Sequence, residues 1–171
     1  LIQRSRGYSM RSPLTIDDIR TICQTVKKIK PDCICFVDNC YGEFVDVEEP
    51  TQAGADITAG ALIKNPGGGS ARTGGYIVGR NDLVELASYR LTAPGMGDEL
   101  GASLANNRLL FQGLFLAPHV VSQAIKGAIF AAGVFSKLGY TTLPVPAVPR
   151  GGMIHAIDFG NTNGDMPVRC I

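Results

Sequence analysis

The chain has 171 residues, of which 45% are hydrophobic and 18% are charged, and its formal net charge is +1. This length fits one ordinary domain, and this composition excludes an intrinsically disordered chain. The near-zero charge argues against a nucleic acid or an acidic membrane surface as the partner. The five cysteines have no paired zinc-ligand spacing, which predicts reduced thiols in a cytoplasmic protein and no metal site. Because the chain begins at Leu1 rather than Met and stops abruptly at Ile171, we expect a fragment of a longer protein.

The first elements in chain order are a helix followed by two strands. Residues 14–30 carry isoleucine and valine at helical spacing, after a capping box made by Thr15 and Asp18. Residues 33–37 form a continuous apolar run, which is typical of a strand buried on both faces. The next strand is predicted at 55–61, after an acidic loop. The two strands and their connection therefore fit one right-handed crossover unit.

Shorter elements follow. Residues 76–79 predict a third strand, bounded by glycines. A helix is predicted at 82–89, with Asn81 or Asp82 as its N-cap. After a proline-rich stretch, residues 153–159 again read as a strand.

The clearest helix of the sequence is predicted at 118–138. Pro118 suits a first turn, and Gly139 marks the end of the helix. The overlapping segment 109–136 is apolar enough to be compared with a membrane span, but it contains glutamine, histidine and lysine. Because a span needs about 20 predominantly apolar residues, we favour a long buried helix that links two lobes.

Two residues carry the chemistry that the sequence predicts. Asp38 ends the run 33–37, and Lys64 follows the predicted strand 55–61. In an open parallel sheet both side chains lie at the carboxyl edge, where such proteins bind ligands. A lysine that forms a Schiff base and an acid that pairs with the pyridine nitrogen are the minimum parts of a pyridoxal 5'-phosphate (PLP) site. The alternatives are a surface lysine and a loop-capping acid.

A glycine-rich stretch, residues 67–75, follows the lysine. Its backbone amides are candidates to cradle a phosphate, with Ser70, Arg72 and Thr73 as polar groups within reach of an anion. It contains neither a Walker A loop nor a GxGxxG pattern. A flexible turn at an interface is the alternative interpretation.

Several segments together resemble a known family. They are QRSRGY at 3–8, FVDNCYGE at 36–43, GAD at 54–56, LIKNPGGG at 62–69, YRLTAPG at 89–95 and QGLFLAPH at 112–119. The chain resembles the PLP-dependent enzymes of cysteine and methionine metabolism, which have the aspartate-aminotransferase fold. It is most similar to the methionine gamma-lyase or cystathionine beta-lyase related "aluminium-resistance" proteins.

The resemblance implies an enzyme: a carbon–sulfur lyase acting on a sulfur amino acid such as cystathionine or methionine. Lys64 would be the Schiff-base lysine and Asp38 the partner of the pyridinium nitrogen. The family usually has a serine three residues before the lysine, where this chain has Ala61. A homodimer or tetramer is implied, with active sites near subunit contacts. Arg4 and Arg6 would face the same sheet edge, in contact with substrate or cofactor or in a solvated or interface role.

The fold implied is α/β, part of a PLP-dependent transferase (fold type I) large domain with a mostly parallel sheet, leading into a small α+β C-terminal domain. The expected division is 1–105 for the later part of the large domain, 106–139 for an interdomain helical segment and 140–171 for the start of the small domain. Two functional alternatives stay open: a non-catalytic relative of the fold, and a PLP-dependent transferase. We expect Tyr41, Arg90 and His119 to be structural and His155 to be a strand residue.

Overall fold

The computed structural model describes residues 1–91, 93–99, 101 and 104–160 and the backbone of 168–170. Its strands form two sheets, and in chain order a long helix separates the strands of the first sheet from those of the second. The elements are β1 (Ile2–Gln3), α1 (Ile16–Ile29), β2 (Phe36–Asp38), β3 (Ile57–Ala61), β4 (Gly75–Gly79), α2 (Asn81–Ser88), α3 (Asn107–Lys137), β5 (Thr141–Leu143), β6 (Ala156–Asp158) and β7 (Val168–Cys170).

The first sheet has the order β1-β2-β3-β4. Strands β1, β2 and β3 run parallel, and β4 is antiparallel to β3. The α/β fold with a mostly parallel sheet is therefore confirmed. The second sheet, β5-β6-β7, is entirely antiparallel. The division of the chain into a large and a small domain stays a prediction.

Helix α1 begins and packs as its sequence predicts. The Thr15 hydroxyl accepts a hydrogen bond from the Asp18 amide at 3.2 Å, and the Asp18 carboxylate accepts one from the Thr15 amide at 2.8 Å. Ile19 of α1 and Val37 of β2 are fully buried in one hydrophobic cluster, which holds the helix against the sheet. Burial of such side chains stabilises a fold by about 1.5–3 kcal/mol each.

Strands β2 and β3 begin later than their apolar runs predict. The Cys35 amide donates to the Asp56 carboxylate at 2.7 Å, so Cys35 does not pair as a strand residue. The Ala55 amide donates to the Pro50 carbonyl at 3.0 Å, which places Ala55 in the preceding turn. Side-chain and turn hydrogen bonds therefore shorten both strands.

The predicted starts of the two later helices are wrong, while the predicted end of the second, before Gly139, is confirmed. Arg80 is the N-cap of α2 and makes no side-chain capping bond, because a guanidinium has no acceptor for a helix amide. It donates to the Asp82 carboxylate at 2.6 Å. Helix α3 begins at Asn107, eleven residues before Pro118, so the proline lies inside the helix. A proline there removes one backbone donor of the helix but does not end it here.

Helix α3 is also less buried than expected. It buries Gly113, Ala117, Val121 and Ala132, while Phe115 and Phe130 are 84% and 74% exposed. By length and composition it is the one helix in the described part of the chain that could cross a membrane. The buried side of α3 is a narrow stripe of small residues, and this explains why its bulky side chains lie outside the core.

The stripe on α3 contacts the turn that follows Lys64. A short 3₁₀ turn, Asn65–Gly67, lies directly after the lysine. A Cβ atom added at Gly68 would lie 2.3 Å from the Gly113 carbonyl oxygen, and one added at Gly113 would lie 2.1 Å from the Gly67 carbonyl oxygen. Gly68 also has a φ of +52°, which disfavours other residues. Only glycines allow this close approach of turn and helix.

We predict that Gly113→Ala destabilises the full-length protein, although alanine is the better helix former. The new methyl group overlaps the Gly67 carbonyl, and overpacking of this kind lowers the free energy of unfolding by about 1–3 kcal/mol. Gly133→Ala, on the same helix with no atom within 4 Å of its added Cβ, should instead raise it by about 0.5–1 kcal/mol. Urea unfolding measures both, and equal effects would contradict the close contact.

Candidate active site

Asp38 and Lys64 lie at the same edge of the first sheet. Asp38 is the last residue of β2, and Lys64 follows β3 after a turn in which its amide donates to the Ala61 carbonyl at 3.2 Å. Because β2 and β3 are parallel, their carboxyl ends meet at one edge. Both side chains are half-buried.

Cys40 and Tyr41 connect the lysine with the aspartate. Burial and the nearby Asp38 carboxylate raise the pKa of the Cys40 thiol, and the nearby Lys64 ammonium lowers it. The Cys40 amide donates to Asp38 Oδ1 at 3.1 Å. Lys64 Nζ lies 4.5 Å from the centre of the Tyr41 ring, a cation–π distance. The loop after β2 therefore supplies the acid, the thiol and the ring that surround the lysine.

The electrostatics of Lys64 differ from the expectation for a buried amine. Burial lowers its pKa, but the hydrogen bond to Cys40 and the acidic groups of Cys40, Tyr41 and Asp38 together raise the pKa above its ordinary value. The amine is therefore protonated at neutral pH in the chain without a bound group. Lys64 is held as a cation by its neighbours, not kept neutral by its burial.

The glycine-rich stretch uses its amides within its own turn. The amides of Gly67 and Gly68 donate to the carbonyls of Lys64 and Asn65, and those of Ser70 and Ala71 donate to the Gly67 carbonyl. These four amides are not available to a phosphate in this conformation. Close contact with α3, described above, explains these glycines better than an anion cradle does.

Arg4 and Arg6 have structural roles. The fully buried Arg4 donates to Asn39 Oδ1 and the Gly42 carbonyl, at 2.9 Å each, and to Asp46 Oδ2 at 2.5 Å. It thereby holds the loop that carries Cys40 and Tyr41. Arg6 is also buried and donates to the carbonyls of Ser9 and Leu143 at 2.8 and 2.7 Å. The expected solvated role is wrong for both arginines, because both are buried and hydrogen-bonded within the fold.

Glu43 is a buried acid on the inner side of the same loop. Its Oε1 accepts from the Tyr76 hydroxyl at 2.8 Å, while its Oε2 is buried without a hydrogen-bond partner in the described part of the chain. Its backbone carbonyl accepts from Asn65 Nδ2 at 2.8 Å, next to Lys64. Burial raises the pKa of Glu43. Glu43 and Tyr76 also line a cavity of about 320 Å³.

We predict that Glu43→Gln makes the stability of the full-length protein less dependent on pH. The folded pKa of Glu43 lies above its ordinary value of 4.5. Its neutral form therefore stabilises the fold below that pH, and this contribution is lost as the pH rises through the folded pKa. Urea unfolding from pH 4.5 to 8 should show a smaller decline for the variant than for the native protein. Glu99→Gln, at an exposed residue, should leave the decline unchanged.

Sequence reasoning did not assign Cys40 to the site and treated Tyr41 as structural. Both lie in the segment FVDNCYGE that carries the resemblance, so their position directly after Asp38 was the available signal. His155 was expected to be a strand residue, but it precedes β6 and is fully buried beside Arg150. No spacing in the sequence indicates that pair.

Comparison with known proteins relates this chain to uncharacterized bacterial proteins. This chain is 53% identical over 159 residues to an uncharacterized 33.9 kDa protein from Lactobacillus delbrueckii subsp. bulgaricus. The aligned region covers 93% of this chain and 52% of that protein. It is 51% identical over 160 residues to the uncharacterized protein YnbB of Bacillus subtilis, covering 94% of this chain and 38% of the relative. The chain therefore spans about half or less of these relatives.

Solved structures agree closely over the same region. A Listeria monocytogenes protein, provisionally named a cystathionine beta-lyase involved in aluminium resistance, is 55% identical with a TM-score of 0.91, and the chain covers 40% of it. A carbon–sulfur lyase involved in aluminium resistance from Clostridium novyi is 49% identical with a TM-score of 0.89, and the chain covers 38% of it. In both comparisons, 94% of this chain is aligned.

A more distant structure shows the fold alone. A methionine gamma lyase from Micromonospora echinospora is 17% identical, with a TM-score of 0.65 over 92% of this chain.

The family model described as methionine gamma-lyase matches residues 1–166. The parallel strands, the lysine and aspartate at their carboxyl edge and this match together show that the chain belongs to the methionine gamma-lyase family.

Proposed function

We propose that the protein is a PLP-dependent carbon–sulfur lyase acting on a sulfur amino acid, of methionine gamma-lyase or cystathionine beta-lyase type, with Lys64 as the covalent attachment point. One observation carries the proposal: Asp38 and Lys64 lie at the same edge of the sheet, next to the loop that carries Cys40 and Tyr41. The name carbon–sulfur lyase, given to a solved relative, supports the reaction class.

The two side chains fit the chemistry of PLP. A primary amine reacts with the aldehyde of the cofactor, and a half-buried carboxylate pairs with a protonated pyridine nitrogen. Lys64 would hold the cofactor through Nζ, and Asp38 would hold the ring nitrogen. When bound, PLP supplies an electron sink for the electron pair left at the substrate Cα.

The residues of the chain account for the proton transfers. With the amino group of the substrate bound in its place, Lys64 Nζ would be the base that removes the proton from the substrate Cα. The Tyr41 ring keeps Nζ at the sheet edge, since it contacts Nζ in this structure. Breaking the carbon–sulfur bond would release the sulfur with its electron pair as a thiolate, which takes up a proton to become the thiol. Water would then convert the remaining carbon skeleton to a keto acid and ammonia.

We also infer a cytoplasmic enzyme that forms homo-oligomers and binds a small amino acid rather than nucleic acid or membrane. The cysteines Cys23, Cys33, Cys35 and Cys40 are unpaired, which suits a reducing compartment. Helix α3 is long and apolar enough to span a membrane, but its small-residue stripe packs on the 3₁₀ turn. This packing, together with TM-scores of 0.91 and 0.89 to two solved relatives over 94% of the chain, supports a helix of a soluble fold.

The test is product analysis with the full-length protein and added PLP. Methionine, cystathionine and cysteine are supplied in turn, and thiol, keto acid and ammonia are measured. The proposal expects all three products in equal amounts from at least one substrate. Transfer of the amino group to an added keto acid without thiol release would indicate a transferase. Bound cofactor with neither reaction would indicate a non-catalytic relative.

A further inference from the structure

An open cavity lies next to Glu43, over strands β3 and β4. It has a volume of about 320 Å³, and Thr58 of β3 and Val78 of β4 line it. Leu62 and Leu114 add apolar side chains to its wall. Val78 and Leu114 are 47% and 49% exposed. The apolar wall of the cavity is therefore left uncovered by the described part of the chain.

Two buried polar side chains line the same cavity. Glu43 and Thr58 are 4% and 2% exposed, and neither Glu43 Oε2 nor Thr58 Oγ1 has a hydrogen-bond partner among the described residues. Buried polar atoms of folded proteins are almost always hydrogen-bonded, because an unpaired one destabilises the fold. Both atoms therefore call for a partner that enters the cavity from outside the described residues.

The protonation of Glu43 defines the chemistry of that partner. Burial raises the pKa of Glu43, which favours the neutral acid. Since Glu43 Oε1 already accepts from the Tyr76 hydroxyl at 2.8 Å, the acid proton lies on Oε2, which needs an acceptor. The Thr58 hydroxyl can donate or accept. A neutral carboxamide or hydroxyl group can pair with either atom, and it avoids the cost of burying another charge.

The uncovered apolar surface continues along helix α3. Phe111 and Phe115 are 72% and 84% exposed, and they lie on the same face of the helix as Leu114, which is three residues after the first and directly before the second. Exposed apolar patches that adjoin polar groups mark interaction sites. The partner is therefore a segment that is apolar except for the group that meets Glu43 and Thr58.

A large part of the polypeptide is available to supply this segment. The 171 residues span about half or less of the curated relatives, so about half or more of such a protein lies outside them. A segment of the same polypeptide meets the cavity at a high effective concentration, which a separate molecule does not. This remaining part is therefore favoured over a second copy of the chain or a small molecule.

We propose that the cavity beside Glu43 receives an apolar segment of the full-length protein from outside these 171 residues, which places a neutral carboxamide or hydroxyl against Glu43 and Thr58. Its apolar side chains cover Val78 and Leu114. Because the Glu43 carbonyl accepts from Asn65 Nδ2 at 2.8 Å, the seated segment also steadies the turn directly after the lysine. This docking is independent of the reaction that the protein catalyses.

Photo-cross-linking in the full-length protein locates the segment. p-Benzoylphenylalanine in place of Leu114 should react with a peptide outside residues 1–171, and the product should keep the mass of one chain. The same group in place of Val47, a fully exposed residue outside the cavity, should not give this product. If the variant at Leu114 does not fold, Val78 is the second position. A product of two chains, a link within residues 1–171, or no link at all would overturn the inference.

Hydrogen–deuterium exchange of the segment identified in this way tests the polar contact. Glu43→Leu should raise its exchange rate by about 10-fold, with exchange in α1 unchanged. Glu43→Gln should leave the rate unchanged, because its Nε2 donates where the neutral acid donates and its Oε1 still accepts from Tyr76. Glu99→Leu, at an exposed residue, should have no effect.

Two results of this exchange experiment would contradict the docking of a neutral group. Equal increases for Glu43→Leu and Glu43→Gln would mean that an ionised carboxylate pairs with a cation. An increase in α1 as large as that in the segment would mean that Glu43 stabilises the whole fold and not the contact with the segment.

Discussion

Replacing Lys64 with alanine should abolish the visible absorbance of bound PLP and lower kcat for thiol release by at least about 10²- to 10⁴-fold. In the proposed mechanism, one side chain both holds the cofactor and moves the Cα proton. A direct measurement is borohydride reduction of the loaded full-length protein followed by peptide mass spectrometry. The added mass should lie on the peptide that contains Lys64.

The matched control is Lys28→Ala, because Lys28 is exposed on helix α1. It should keep the absorbance, the labelled peptide and kcat. An unchanged absorbance band in Lys64→Ala, or a label on another lysine, would contradict the assignment of Lys64. Such a result would leave the family assignment untouched, since that rests on the match over residues 1–166.

Replacing Arg4 with methionine should cause the largest loss of stability among the substitutions considered. Arg4 is fully buried and donates to Asn39, Gly42 and Asp46. Three hydrogen bonds of about 1 kcal/mol each give an expected loss of about 3 kcal/mol in the free energy of unfolding. Urea unfolding of the full-length protein measures it.

Two further variants show whether burial is the cause. Asp46→Asn removes the charge of one partner, but Asp46 is 37% exposed, so its effect should stay below about 1 kcal/mol. Arg108→Met removes an exposed arginine and should change stability by less than about 0.5 kcal/mol. Equal losses for Arg4→Met and Asp46→Asn would mean that the ion pair, not the buried network, dominates.

The placement of Asp38 and Lys64 was predictable from the sequence because it follows from local rules. Each residue comes directly after an apolar run, and strands that run parallel have their carboxyl ends at one edge. The capping box of α1 is equally local, since Thr15 and Asp18 are three residues apart. What lies within a few residues of a motif could therefore be derived without the structure.

The network around Arg4 and the glycine contact could not be predicted in this way. The hydrogen-bond partners of Arg4 lie 35 to 42 residues away, and no periodicity connects them. Gly68 and Gly113 likewise meet only through the packing of α3. The sequence misplaces the start of this helix, because Pro118 fits the first turn of a helix but lies inside this one. Tertiary packing decided both features, and it also decided the role of the glycine-rich stretch.

The contact between the glycine-rich turn and α3 has a mechanical consequence. Helix α3 packs at one point on the turn directly after Lys64 and at another on β5 of the second sheet. At the contact of Gly68 with Gly113, no side chain lies between the two backbones to absorb a shift. A tilt of α3 would therefore displace the backbone next to Lys64. Helix α3 thus connects the second sheet to the backbone beside Lys64. A movement of the second sheet that tilts α3 would therefore change the position of Lys64.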